Sequence, residues 1–214
     1  MMKKNFFITS FFLLTIFTSF AQTESSKEEN SDSLKVKHFS IGLKLGIPNL
    51  ASGSAELTLP ILNNHFAPYI DYSKIGLIFD SVETTIAYTE FGINYYFNKK
   101  ANGFFIGVGK GSLSTDVTFK NLLFTSGLQS LIGSGSTVLN LDTTNFKLGV
   151  KTAGTIFFRF ELGYGVGKIP DSLNFIASLN GISESFTKTI EDAQIPGLGS
   201  NGILIGNIGF GFAF

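Results

Sequence analysis

The last twelve residues constrain the fold of this chain more than any other stretch. From residue 203 to the end, large apolar residues alternate with small or polar ones, and this period of two predicts a β-strand with one bulky apolar face. The apolar face carries Leu204, Ile208, Phe210, Phe212 and Phe214, and the other face carries Asn207, Gly209, Gly211 and Ala213. An edge strand that exposes three phenylalanines to water invites aggregation, whereas a strand that faces lipid and is paired at its edges does not. The alternation in these twelve residues therefore favours a membrane barrel.

The composition narrows the class of protein further. The 214 residues include 24 Gly and 24 Phe, and only 15% are charged, which disfavours a helical protein. The net charge of zero indicates no nucleic-acid partner. The chain has no cysteine and only two histidines, His38 and His65. It therefore offers no thiolate site or cysteine nucleophile, a histidine-rich metal site is disfavoured, and no metal or cofactor is predicted.

The amino terminus has the layout of a secretory signal peptide. Lys3 and Lys4 precede an apolar run over 6–20, and a short polar stretch follows from Ala21. The run is short for a transmembrane helix and contains five hydroxyl residues, Thr9, Ser10, Thr15, Thr18 and Ser19. We expect a signal peptide over 1–21, a flexible periplasmic tail rich in Ser, Glu, Asp and Lys over 22–37, and a barrel over 38–214.

Alternation of apolar and polar residues marks seven further strands. They are predicted at 39–47, 55–59, 66–78, 87–97, 104–119, 146–150 and 156–166. We expect tight turns after the second, fourth and sixth strands, and longer connections after the others, including 48–54, 120–136 and 168–202. Apolar residues three or four apart within 168–202 predict one or two short amphipathic helices there. Short turns at one end and long loops at the other are typical of membrane barrels. The predicted fold is therefore all-β, an eight-stranded antiparallel transmembrane up-and-down β-barrel.

Phenylalanines fall together at one end of this predicted barrel. With both termini in the periplasm, several strands carry one on the apolar face near the periplasmic end, which is expected of an aromatic girdle at a lipid interface. The predicted girdle consists of Phe39, Phe66, Phe97, Phe104, Phe158 and Phe214.

The opposite face of the strands is rich in glycine and carries a small set of charges. The predicted interior charge network consists of Lys44, Glu56, Asp71, Glu90, Lys147, Arg159 and Glu161. Side chains just fill the interior of a small eight-stranded barrel, and an isolated buried charge is costly. We therefore expect these groups to pair in a structural salt-bridge network. The sharper alternative is a gated polar path for water or small ions.

These features together resemble the small eight-stranded outer-membrane barrels of the OmpA/OmpX kind, which are loosely described as porin-family proteins. The resemblance covers roughly 39–214 and depends on the leader, the alternating strands and the terminal Phe214. It implies a location in the outer membrane of a Gram-negative-type envelope, in contact with outer-membrane lipid. It also implies that the last strand is the signal read by the barrel-assembly machinery. No residue-specific functional motif accompanies it, so no catalytic site carries over.

Four functions are compatible with the sequence. The favoured one is a non-enzymatic membrane scaffold whose extracellular loops serve binding or envelope integrity, with the loop ligand left open. A narrow gated pore for water or small solutes is the second. A lipid-modifying enzyme is the third, although His38 and His65 are predicted at periplasmic ends without a serine and a carboxylate beside them. A soluble lipocalin-like barrel is the fourth, and the glycine-rich polar face would give it a poorly solvated exterior.

Overall fold

The computed structural model describes residues 36–126, 129–168, 170, 172–179, 182–189, 198–199 and 201–214. The predicted signal peptide and the tail up to residue 35 lie outside the described residues. In the described part, none of the helical segments is long and apolar enough to cross a bilayer.

Regular structure in the described residues is almost entirely strand. One short 3-10 helix occupies Ile61–Asn64. The strands are β1 (Phe39–Ile47), β2 (Leu50–Leu57), β3 (Phe66–Phe79), β4 (Val82–Tyr96), β5 (Gly103–Ser126), β6 (Gln129–Lys151), β7 (Ile156–Val166), β8 (Ser172–Leu179), β9 (Ile182–Thr189), β10 (Leu198–Gly199) and β11 (Gly202–Ala213).

Eight of these strands, β1 to β7 and β11, form a closed antiparallel barrel. Each strand from β1 to β6 pairs with the next one along the chain. β11 pairs with β7 on one edge and with β1 on the other, from Ser40↔Ala213 to Ile47↔Gly206. The terminal strand thus has partners on both sides, and the predicted eight-stranded antiparallel barrel is confirmed. We call the end with Phe39 and Phe214 the lower end, and the opposite end the upper end.

Several strands extend beyond the barrel at the upper end. β5 and β6 stay paired from Gly103↔Lys151 to Ser126↔Gln129, with an irregularity in the register between Phe119 and Leu122. The β8–β9 hairpin then joins this extension, because β8 pairs with the 134–137 stretch of β6. The resulting upper sheet has β9 at its edge.

The structure corrects three of the predicted connections. β2 begins at Leu50, so the loop predicted over 48–54 is a two-residue turn at Pro48 and Asn49. The connection after β3 is equally tight, at Asp80 and Ser81. The long loop predicted over 120–136 is occupied mainly by the upper parts of β5 and β6. Alternation reveals a strand only where its two faces meet different surroundings. In 120–136 the apolar residues Leu122, Leu123 and Phe124 follow one another without a period of two.

The amphipathic helices predicted within 168–202 are wrong. β8 and β9 occupy this region, with Phe175 opposite Phe186 in the register. An apolar spacing of three or four residues arose here without a helix, because pairing with β6 decides the local conformation. The same pairing places two more strands on the upper sheet than the sequence predicted.

The barrel wall is inverted relative to that of a water-soluble barrel. Large apolar side chains point outward along β1, β7 and β11, and they alternate with buried polar or small residues. Leu43 and Leu45, for example, are more than half exposed, whereas Lys44 between them is 2% exposed. The soluble lipocalin-like alternative needs the opposite arrangement.

Candidate functional site

The barrel interior is the most elaborate polar site among the described residues. All seven charged residues of the predicted network are buried there, and an eighth, Lys151, joins them. The sequence placed Lys151 in a turn, but it is the last residue of β6 and only 4% exposed. With it the buried charges comprise four bases and four acids, which are Lys44, Lys147, Lys151, Arg159, Glu56, Asp71, Glu90 and Glu161.

The lower group of charges is centred on Glu56 of β2. Its Oε2 accepts hydrogen bonds from Arg159 Nη2 and from Asn94 Nδ2, each at 2.7 Å. Its Oε1 accepts one from Lys151 Nζ at 2.8 Å, and Tyr96 Oη lies 3.0 Å from both carboxylate oxygens. These donors come from β4, β6 and β7, so one carboxylate ties together strands that are not neighbours in the wall.

The central group links two lysines to three carboxylates. Lys44 Nζ lies 2.8 Å from Asp71 Oδ2 and 2.9 Å from Glu161 Oε1. Lys147 Nζ lies 2.9 Å from Glu90 Oε1, and longer ion pairs of 3.8 and 3.7 Å reach Asp71 and Glu161. Every charge of this group has at least one partner of opposite sign, which offsets the cost of removing it from water.

Tyrosines complete the coordination of Glu90. Tyr69 and Tyr88 donate hydrogen bonds to its two carboxylate oxygens at 2.5 and 2.7 Å. Tyr88 in turn accepts a hydrogen bond from Asn145 Nδ2 at 2.9 Å. The ammonium of Lys147 lies 4.1 Å from the centre of the Tyr69 ring, within the range of a cation–π contact. Tyr69, Tyr88 and Asn145 are not members of the predicted network, although they share a strand face with Asp71, Glu90 and Lys147 respectively.

Apolar side chains border the charges at both ends of the interior. Tyr88, Leu113, Leu141 and Ile203 pack together toward the upper end, and we call them the upper layer. Ala67, Tyr96, Ala101 and Phe105 form the corresponding lower layer. Packed apolar side chains therefore accompany the charges in both halves of the interior.

Glycines on the inner face make room for these large side chains. A Cβ placed on Gly149 would lie 2.7 Å from Phe105 Cε1, and one on Gly109 would lie 2.6 Å from Tyr69 Oη. A Cβ on Gly163 would lie 2.9 Å from Cγ of Lys147. Real Cβ atoms do not approach other atoms so closely. The large side chains therefore fit in the interior only because these positions have no side chain.

The six phenylalanines of the predicted girdle lie at the lower end of the wall. Phe39 stacks on Phe214 across the closing pair of strands, with ring centroids 6.5 Å apart. Tyr95, which the prediction left out, contacts both Phe66 and Phe97 edge to face at 5.2 and 5.4 Å. Phe97 in turn contacts Phe104 at 5.5 Å, so one row of rings runs across three strands. Phe158 stands exposed two positions into β7.

Neither histidine has the surroundings of a catalytic base. His38 Nδ1 lies 2.9 Å from the carbonyl oxygen of Thr58, and His65 Nδ1 lies 2.5 Å from that of Tyr96. Both residues are at the lower end, and both are held by backbone groups. Among the residues with a described structure, no cluster of three or more His, Asp or Glu side chains could hold a metal ion.

Comparisons with known proteins return likenesses to solved structures, two of which follow. No family model and no curated protein matches the sequence. A major outer membrane protein from Thermus thermophilus is similar over 83% of this chain and 98% of its own, with 10% identity and a TM-score of 0.49. CarO of Acinetobacter baumannii is similar over 82% of this chain and 97% of its own, with 11% identity and a TM-score of 0.46. Neither likeness identifies membership of the OmpA/OmpX group, which stays a prediction.

Proposed function

We propose that this chain spans the outer membrane as a closed, non-conducting and non-enzymatic scaffold that holds its upper sheet outside the bilayer. The observation that carries the proposal is a barrel whose outward side chains are large and apolar while its inward charges are paired. A wall of this kind is stable only against lipid, because water would leave its outer surface unsolvated. Its backbone groups are paired around the whole barrel, as a bilayer requires.

The filled interior favours a scaffold over a narrow pore. Each of the eight charges has a partner of opposite sign, and the apolar side chains of the upper and lower layers pack in the same interior. An ion entering this interior would have to displace paired groups. The salt bridges therefore act as a structural filling of the barrel.

The geometry gives little support to an enzyme. A lipid-modifying site needs a base, a nucleophile and a carboxylate within hydrogen-bond reach of one another near the membrane surface. His38 and His65 instead contact backbone carbonyls at the lower end. The upper sheet is the exposed part that we assign to a function, and among the described strands β9 lies at its edge.

A partner peptide could add to that edge as a further strand. An edge strand offers unpaired N–H and C=O groups, and strand addition is a common way for a sheet to bind a peptide. This edge is the surface through which we propose that the scaffold binds a partner.

The membrane assignment is tested by fractionation of cells and by gel mobility. We expect the protein in the outer-membrane fraction, and we expect the unheated, detergent-extracted barrel to migrate differently from the boiled chain. A soluble periplasmic protein without a mobility shift would overturn the assignment.

The scaffold assignment is tested by conductance in planar bilayers. We expect wild-type protein to stay at the level of the bare bilayer, because the paired charges fill the barrel. Heat-modifiable migration of the same preparation shows that folded barrels are present. Steady conductance by wild-type protein would favour the pore instead.

A further inference from the structure

The outer wall carries an apolar groove that crosses β4, β5, β6 and β7. Its volume is about 620 Å³, within the range of ~300–1,000 Å³ that is usual for small-molecule sites. Two rows of outward side chains form its sides, and the backbone of Gly107, Lys147 and Gly163 forms its floor. One row consists of Ile93, Val108, Phe146 and Tyr164, and the other consists of Tyr95, Ile106, Leu148 and Leu162.

Polar groups adjoin the upper side of this groove. Lys110 is the next outward residue of β5 after Val108, and it is exposed. Its Nζ donates a hydrogen bond to Thr144 Oγ1 on β6 at 2.9 Å. Asp142 points outward one step further up β6, opposite Ser112. Among the described residues, Lys110 and Asp142 form no ion pair within 4.0 Å, so both charges are available to a ligand.

These charges lie where the neighbouring wall is still apolar. Thr144 is paired in the register with Val166 of β7, which is outward and half exposed. The outward apolar run of β7 continues from Ile156 to Val166, whereas that of β5 ends at Val108. Charged groups at this depth are costly unless they are hydrated or meet a charged partner. A lipid headgroup drawn to this point would supply one.

We propose that the groove binds an acyl chain of a phospholipid whose headgroup carries a phosphate and a primary amine. The chain lies between the two apolar rows, the phosphate is bound by Lys110 and Thr144, and the amine is bound by Asp142. Opposite charges on adjacent strands match a zwitterionic headgroup better than an anionic one, because an anionic headgroup without an amine leaves Asp142 unpaired and close to its negative charge. This site presupposes the membrane-spanning barrel proposed above.

The absence of tryptophan from the chain permits a direct test. A single reporter is introduced in the groove as Leu148→Trp and on the far wall as Leu43→Trp, two outward residues that are both 55% exposed. Each protein is reconstituted in dioleoyl phosphatidylcholine vesicles that contain phosphatidylethanolamine or phosphatidylglycerol with brominated chains. Quenching of tryptophan fluorescence by bromine then gives the binding of each lipid relative to phosphatidylcholine. Leu162→Trp is a second groove reporter if Leu148→Trp does not fold.

We expect the groove reporter to prefer phosphatidylethanolamine by roughly two- to fivefold, the range that one exposed ion pair supports. The far-wall reporter should show no preference. Asp142→Asn should abolish the preference and raise binding of phosphatidylglycerol, because the positive charge of Lys110 then attracts the phosphate without repulsion from Asp142. Lys110→Gln should lower binding of phosphatidylglycerol, because the negative charge of Asp142 then repels the phosphate without attraction from Lys110.

The outcomes separate this site from the proposed function. Equal quenching of both reporters by both lipids would overturn the site and leave the membrane barrel intact. A preference that survives both Lys110→Gln and Asp142→Asn would also overturn it, since the headgroup would then be recognised elsewhere. Quenching of neither reporter by any lipid would mean that the wall does not face lipid, and the proposed function would fail with the site.

Discussion

Arg159 of β7 donates a hydrogen bond from Nη2 to Oε2 of Glu56 in β2 at 2.7 Å, although β11 and β1 lie between these strands in the wall. The contact passes through the interior and links the two strands that flank β11 and β1, where the barrel closes. Glu56 also binds Lys151, so one carboxylate compensates two buried cations. Stability of the barrel should therefore depend on this carboxylate more than on any exposed ion pair.

Replacing Glu56 by Gln should lower the free energy of unfolding by about 3–5 kcal/mol, the usual cost of removing one partner from a buried ion pair. The amide keeps the shape of the side chain but leaves Arg159 and Lys151 without its charge. Urea unfolding of the barrel in phospholipid vesicles measures the effect. Glu83→Gln is the matched control, because Glu83 pairs with Lys120 on the exposed upper part of the wall. That change should cost only about 0–1 kcal/mol, and equal losses from both variants would contradict a structural role for the interior network.

Lys151 should prove to be a member of the same network. Its Nζ lies 2.8 Å from Glu56 Oε1 and donates a hydrogen bond to Ser40 Oγ, also at 2.8 Å. In a double-mutant cycle with Lys151→Gln and Glu56→Gln, we expect a coupling free energy of about 0.5–3 kcal/mol, which is typical of residues in contact. The same cycle between Lys151→Gln and Glu83→Gln should be additive. Additivity of the first pair would exclude Lys151 from the network.

The sequence predicts the barrel strands well where their two faces meet lipid and a packed interior. For this reason the predicted bounds of the strands that begin at Phe39 and Ile156 agree with the observed bounds. Above the barrel this contrast between the faces disappears, and the pattern no longer distinguishes a strand such as β8 from a loop or a short helix. Whether a strand forms there depends on pairing with β6, and the local sequence does not reveal this pairing.

Recognition of the interior site from the sequence has a similar limit. Alternation places Lys44 and Glu161 on the inner face, and Lys151 shares that face with Lys147, but the predicted strand ended one residue before it, at 150. The tyrosines Tyr69 and Tyr88 share the inner face with the charges, and this shared face is the signal that could have found them. The choice of partner for each charge depends on the stagger between strands, which only the structure supplies.

Adding a methyl group at Gly149 should destabilise the barrel by about 1–3 kcal/mol, the usual cost of overpacking a filled core. The new Cβ would lie 2.7 Å from both Phe105 Cε1 and the carbonyl oxygen of Phe160. Gly53→Ala is the matched control, since a Cβ there has no other atom within 4 Å. It should be neutral or slightly stabilising, because alanine restricts the unfolded chain. Unfolding in urea compares the two, and a neutral Gly149→Ala would mean that the interior has unfilled space near Phe105.

Loss of the terminal ring should impair assembly of the barrel in cells more than its final stability. Phe214 stacks on Phe39, and the two residues exchange backbone hydrogen bonds at 2.8 and 3.3 Å, which closes the seam between β11 and β1. We propose that the barrel-assembly machinery reads this last strand. Phe214→Ala keeps the backbone hydrogen bonds and should reduce the amount of heat-modifiable protein in the outer membrane several-fold.

The control is Phe212→Ala, because Phe212 is an outward, exposed residue of the same strand. This change should have a smaller effect. Refolding of both variants from urea into detergent micelles, without any machinery, should be alike. Equal assembly of the two variants in cells would show that the terminal position has no special part in recognition.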